Sequence, residues 1–131
     1  MPVTLEIINR PDVTDLADLE KIYADYPVPP VASFRDWLDN QRDADKTLIA
    51  GRFNGRLLAA VWLSNSGKIE HLCVRAMTRR RGTARQLLEL LQQHAEQLHV
   101  AQLQVTAADD LADLWRQLGF TRAESGWVWT R

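Results

Sequence analysis

Between Arg75 and Arg85 the chain places five arginines and no acid, and Gly82-Thr83-Ala84 sits within this run just ahead of a leucine-rich stretch. A helix that begins there leaves about four backbone amides without intrahelical partners, and its dipole adds partial positive charge at that end. Glycine at such a start lets a ligand approach the main chain, and Thr83 and Ala84 are small enough to keep that approach open. Flanking guanidinium groups then attract an anion and hold it by charge-assisted hydrogen bonds. The expected ligand is a phosphate or pyrophosphate group. A solvated arginine cluster on a tight strand-to-helix turn is the plainer reading of the same residues.

Charge distribution points the same way. The chain carries 16 basic and 17 acidic residues; without the five arginines of that segment, 11 basic residues face 17 acidic ones, a formal charge of −6. An acidic protein with one cationic loop suits a compact anion, whereas contact with a long polyanion such as nucleic acid is disfavoured by the remainder. Gly-x-x-x-x-Gly-Lys is absent, as is Gly-x-Gly-x-x-Gly after the first strand, so nucleoside triphosphates and dinucleotides lack their usual loops. No Gly-x-Ser-x-Gly elbow supports serine hydrolysis. Cys73 lies in an apolar run with no designated base, which favours a structural thiol over a nucleophile. His71 shares a strand side with Ile69 and Cys73, while His94 and His99 face different ways on one helix, so no metal site is expected.

The elements that must position the loop follow from periodicity. Val3, Leu5 and Ile7 alternate as a first strand, and Leu16, Leu19, Ile22, Tyr23 and Tyr26 recur at helical spacing from Thr14 until Pro27. Pro27-Val28-Pro29-Pro30 is a stiff connector. Ser33 and Asp36 form a capping pair for a short helix ending near Asn40, with Phe34, Trp37 and Leu38 on its inner face. Asn54-Gly55 between Thr47–Phe53 and Arg56–Leu63 predicts a hairpin, and Ser64-Asn65-Ser66-Gly67 turns into a third strand, Lys68–Val74. Ala84, Leu87, Leu88, Leu91, Ala95 and Leu98 predict a helix of about four turns. A strand at Gln102–Thr106, a helix from Asp109 to Leu118 closed by Gly119, and a strand from Trp127 complete the chain. The five tryptophans, at 37, 62, 115, 127 and 129, read most simply as packing, although Trp127 and Trp129 share a face that could also form a contact surface.

Length and composition bound the rest. A chain of 131 residues, 46% hydrophobic and 25% charged, is expected to form one domain over 1–131 with a core that needs no metal or disulfide. One cysteine excludes an intrachain disulfide and suits the cytoplasm, and neither a secretory signal nor a membrane-length apolar run is evident.

The segment Val74-Arg-Ala-Met-Thr-Arg79-Arg80-Arg81-Gly82-Thr83-Ala84 resembles the acyl-CoA loop of the GNAT acetyltransferases, whose pattern is Arg or Gln, two residues, Gly, one residue, Gly or Ala. Arg79, Gly82 and Ala84 fill those positions, and Leu118-Gly119-Phe120 is similar to the family's close after its last helix. The resemblance implies an α/β GNAT fold, a mixed and mostly antiparallel sheet flanked by helices, with loop amides on the pyrophosphate. Arg52-Phe-Asn-Gly-Arg56-Leu-Leu-Ala-Ala-Val61 with Val74-Arg75 and Thr78–Gly82 resembles more closely the PanZ/PanM family of small acetyl-CoA-binding GNAT proteins.

That family binds the aspartate 1-decarboxylase zymogen, promotes its self-cleavage and couples pantothenate and CoA synthesis to acetyl-CoA. By position, the resemblance carries acetyl-CoA/CoA contacts onto Leu72, Cys73 and Val74 and onto Thr78, Arg79, Arg80, Arg81, Gly82, Thr83, Ala84 and Arg85. One departure is the stretch from Pro27 to Lys46, longer here than the family's usual connector. The alternative is an N-acetyltransferase moving acetyl from acetyl-CoA to an amine, with Glu70 as its catalytic base. Many GNAT enzymes carry a tyrosine acid five residues before the phenylalanine of the closing Gly-Phe. Here that position is Trp115, whose indole cannot serve, and the expected function is a regulator that acts by binding another protein.

Overall fold

Asn54 and Gly55 both take positive φ, as a two-residue hairpin turn requires, and join β2 (Lys46–Phe53) to β3 (Arg56–Ser64). Around this hairpin the computed structural model, which describes residues 2–26, 33–78 and 82–131, builds a four-stranded antiparallel sheet. β1 (Thr4–Ile7) pairs with β2, and β4 (Ile69–Val74) pairs with β3. A second sheet holds β5 (Gln102–Thr106), β7 (Gly126–Thr130) and the two-residue β6 (Thr121–Arg122), in the order β5-β7-β6. Among the described residues the two sheets meet at one parallel bridge, Lys68 to Gln104, where the Gln104 amide donates to the Gly67 carbonyl at 2.9 Å.

β3 reads Leu57 to Leu63 without a polar residue because both its faces are covered. On one face Ile49, Ala59, Val61 and Leu63 pack with Leu87, Leu88 and Leu91 of α3 (Thr83–Gln93), together with Trp115 of α4 (Ala112–Gln117) and Trp127. On the other, Leu48, Ala50, Ala60 and Trp62 pack with Leu19 and Ile22 of α1 (Val13–Ile22) and Trp37 of α2 (Phe34–Asp43). Ser33 caps α2 by accepting from the Asp36 amide at 3.1 Å, as its sequence predicts. The Pro27–Pro30 connector lies outside the described residues.

Helix ends differ from the spacing pattern. α1 stops at Ile22 rather than at Tyr26, since Pro27 disfavours helical backbone in the residue before it. α2 runs past Asn40 to Asp43 and closes with Asp45 in the left-handed region. α3 ends at Gln93, where the His94 ring meets the Leu90 carbonyl at 2.8 Å. Ala95 and Leu98 stay against the core through the turns that follow, so the apolar period outlasts the helical hydrogen bonds. Before α4, Asp109–Leu111 form a 3-10 turn. Trp127 is buried, with its indole donating to Asp109 Oδ1 at 3.1 Å, and half-buried Trp129 packs on the same core.

α1 is fixed to β3 by a buried carboxylate. Asp18 accepts from Arg56 Nε (3.1 and 3.0 Å) and from the buried Leu57 amide (3.0 Å). Burial pushes this carboxyl up, but the Arg56 guanidinium and the Leu57 N–H outweigh it and hold the group below the usual aspartate range. A depressed folded value gives stability that is present at neutral pH and lost as pH falls through the range below about 4. Asp18→Ala, which strands the Leu57 amide, is expected to cost about 1–3 kcal/mol at pH 7. In urea melts at a series of pH values, the gap between variant and wild type closes on acidification.

Candidate functional site

Past the Lys68–Gln104 bridge, β4 and β5 share no further pair among the described residues, and a strand irregularity lies where they part. Ala60 pairs with Cys73 and Trp62 with Glu70, so His71 and Leu72 together oppose Val61. His71 takes φ +53, a left-handed conformation that costs a non-glycine residue about 1–2 kcal/mol and bends a strand that contains it. Three aromatic residues hold it there. Tyr23 donates its hydroxyl to the His71 carbonyl at 2.7 Å, the Tyr26 hydroxyl lies 2.8 Å from Nδ1, and the Trp37 ring meets the imidazole edge-on at 5.2 Å.

Beyond the bulge, Leu72 and Val74 are half-buried against the α3 side, while Cys73 turns the other way and donates its thiol to the Ile22 carbonyl at 3.0 Å. The Arg75 amide bonds Leu58 O at 2.8 Å, and a 3-10 turn at Ala76–Thr78 leads on toward α3. Gly82 is the N-cap of α3 with φ +76, offers no capping side chain, and has nothing among the described residues beyond its chain neighbours within 4 Å of where a Cβ would stand. Thr83 is buried and Ala84 half-buried. Arg85 is exposed and tied to Glu89 (2.9 Å) and Gln117 (3.1 Å). The residues expected to contact a cofactor at 72–74, 78 and 82–85 thus share one strand-to-helix junction, whose strand flanks the parted β4–β5 seam. Arg79, Arg80 and Arg81 lie outside the described residues.

Glu70, the candidate base, is ion-paired with Lys46 and lies 3.6 Å from Lys68 and 3.9 Å from His71 Nε2. Burial pushes its carboxyl up, but the hydrogen bond and charge of Lys46, then Lys68, hold it below the usual glutamate range. A carboxylate so stabilised is a weak proton acceptor. Burial pushes His71 down, toward the neutral imidazole. Trp115 is buried against Phe120 and donates its indole to Ala108 O at 3.0 Å. Lys46 escapes sequence reasoning because only the sheet register brings it to Glu70. Tyr26, by helical spacing a packing residue, instead reaches His71 from beyond the end of α1. No group of three metal-ligating side chains occurs among the described residues, and none of their helices is long and apolar enough to cross a membrane.

The PanZ acetyltransferase (GNAT) domain family matches residues 2–128. The PanD regulatory factor of Escherichia coli (strain K12) is 30% identical over 133 residues, covering 97% of this chain and 98% of that protein. The PanD regulatory factor of Salmonella typhimurium (strain LT2) is 29% identical over the same shares. Among solved structures, E. coli YhhK bound to coenzyme A superposes with a TM-score of 0.72 at 28% identity, covering 100% of both chains. An aminoglycoside 6'-N-acetyltransferase complexed with coenzyme A gives a TM-score of 0.78 at 9% identity, covering 97% of this chain and 96% of that one, a likeness of fold.

Proposed function

This chain belongs to the PanZ family of GNAT acetyltransferase domains, and on that premise we propose that it is a cytoplasmic, acetyl-CoA-responsive regulator. Its partner is the aspartate 1-decarboxylase zymogen, whose self-cleavage it promotes, so that pantothenate and CoA synthesis follow acetyl-CoA supply. The observation that carries the reading is the start of α3, where a left-handed Gly82 without a capping side chain has no described neighbour within 4 Å of its Cβ position at the strand-to-helix junction. The residues fit the cofactor. Amides from Gly82 to Arg85 would hold its pyrophosphate at the positive end of the helix. The main chain of Leu72, Cys73 and Val74 would meet the pantetheine arm, with Arg79–Arg81 and Thr78 beside the phosphates. When bound, the cofactor supplies an acetyl thioester, and this chain's residues recognise and orient it.

Binding is favoured over turnover because Glu70 is neutralised by Lys46 and Trp115 stands in the acid position. At a hundredfold excess over Kd, acetyl-CoA is expected to stabilise the protein by about 2.7 kcal/mol in thermal melts, with no free thiol released when amines are added. One observation favours the acetyltransferase alternative: the Tyr26 hydroxyl reaches the His71 bulge beside Glu70. Amine-dependent thiol release that disappears in Glu70→Gln would establish that alternative and displace the regulator reading.

A further inference from the structure

We propose that the cleft between α1 and α2 is a docking site for a short acidic segment of a partner protein. The cleft, about 190 Å³, is floored by Leu16 and Leu38 and rimmed by Arg10, Arg35 and Arg42, with Asp39 as its single acid. Arg35, Leu38, Asp39 and Arg42 stand at helical spacings of three and four, which places them along one side of α2. Arg10 joins them from the turn before α1.

Arg52, Arg56, Arg85, Arg116 and Arg122 are each ion-paired to an acid of the chain. The guanidinium groups of Arg10, Arg35 and Arg42 make no ion pair or hydrogen bond within the described residues, although Asp39 lies on the same cleft. Three unneutralised guanidinium groups around an apolar floor complement a segment that carries two or more carboxylates and at least one apolar side chain. Asp39 within the rim and the acidic excess of the chain beyond its arginine segment disfavour an unbroken polyanion such as nucleic acid.

The cleft is continuous with the site through α2. Leu38 contributes to the floor of the cleft, and its neighbour Trp37 braces the His71 bulge at 5.2 Å. A segment held here therefore grips the helix that supports the parted seam. The inference rests on the regulator reading only in taking the occupant to be part of a protein.

The test is fluorescence anisotropy with a labelled peptide in which paired glutamates flank a leucine. The intact protein is expected to bind it at low salt and to release it as salt is raised. The double variant Arg35→Glu, Arg42→Glu should bind at least tenfold more weakly while keeping its thermal response to acetyl-CoA. Equal binding by the variant, no binding by the wild type, or displacement by inorganic phosphate as effective as by unlabelled peptide would overturn the proposal. Capture of the decarboxylase zymogen separates the two readings. Capture that survives the double reversal unchanged removes the cleft and leaves the regulator, whereas peptide binding through the arginines without any zymogen capture removes the regulator and leaves the cleft.

Discussion

Gly82→Val is expected to lower acetyl-CoA affinity by about a hundredfold or more while leaving the helical content unchanged. At φ +76 Gly82 occupies a region where an L-residue loses about 1–2 kcal/mol, and a β-branched side chain is held more stiffly still. The unliganded protein bears that strain with a fall in Tm of a few degrees, because no described atom beyond its chain neighbours lies within 4 Å of where the Cβ would stand. The bound state suffers twice. Branched carbons fill the volume through which a pyrophosphate would reach the amides of α3, and relief of the strain turns those amides away. Isothermal titration against far-UV circular dichroism checks both parts, and Gly82→Ala should fall between. A valine variant that binds acetyl-CoA like the wild type removes this loop from the site.

Trp37→Ala should cost about 3–5 kcal/mol, a fall in Tm on the order of 10–20 °C. The indole is 1% exposed. Its ring lies 5.1 Å from Tyr23, 6.4 Å from Tyr26, 5.8 Å from Phe34, 6.4 Å from Trp62 and 5.2 Å from His71, so truncation opens a cavity among five rings. Trp37→Phe should cost far less, on the order of 1 kcal/mol, because the Trp37 indole N–H has no hydrogen-bond partner among the described residues and its removal loses none. The alanine variant should also bind acetyl-CoA more weakly than the phenylalanine variant, since it alone unsettles His71. Equal affinities would show that the bulge holds without its aromatic brace.

The hairpin at Asn54-Gly55, the Ser33 cap and the leucine face of α3 were legible because each is decided within a few residues. The start of α3 directly after Gly82 was legible for the same reason. What escaped depends on distant partners. Nothing in His71-Leu72-Cys73 signals a left-handed residue, because the hydroxyl that fixes it comes from Tyr23 on the far side of three intervening elements. Lys46 meets Glu70 only once β2, β3 and β4 are in register. The end of α3 was overrun because Ala95 and Leu98 continue an apolar period in chain that is no longer helical. Arg10, Arg35 and Arg42 are scattered singly among acids, and only the packing of α1 beside α2 gathers them.

Gly67, whose carbonyl accepts the Gln104 amide where the two sheets meet, has φ +90, and the Gln102 carbonyl passes so near that a Cβ would overlap it. The vertex of the wedge between β4 and β5 is therefore set by a missing methyl group. Even alanine at this point would act as a shim, prising the two blades of the sheet apart from their narrow end, at the other end of β4 from the arginine loop yet in command of the angle at which the blades diverge.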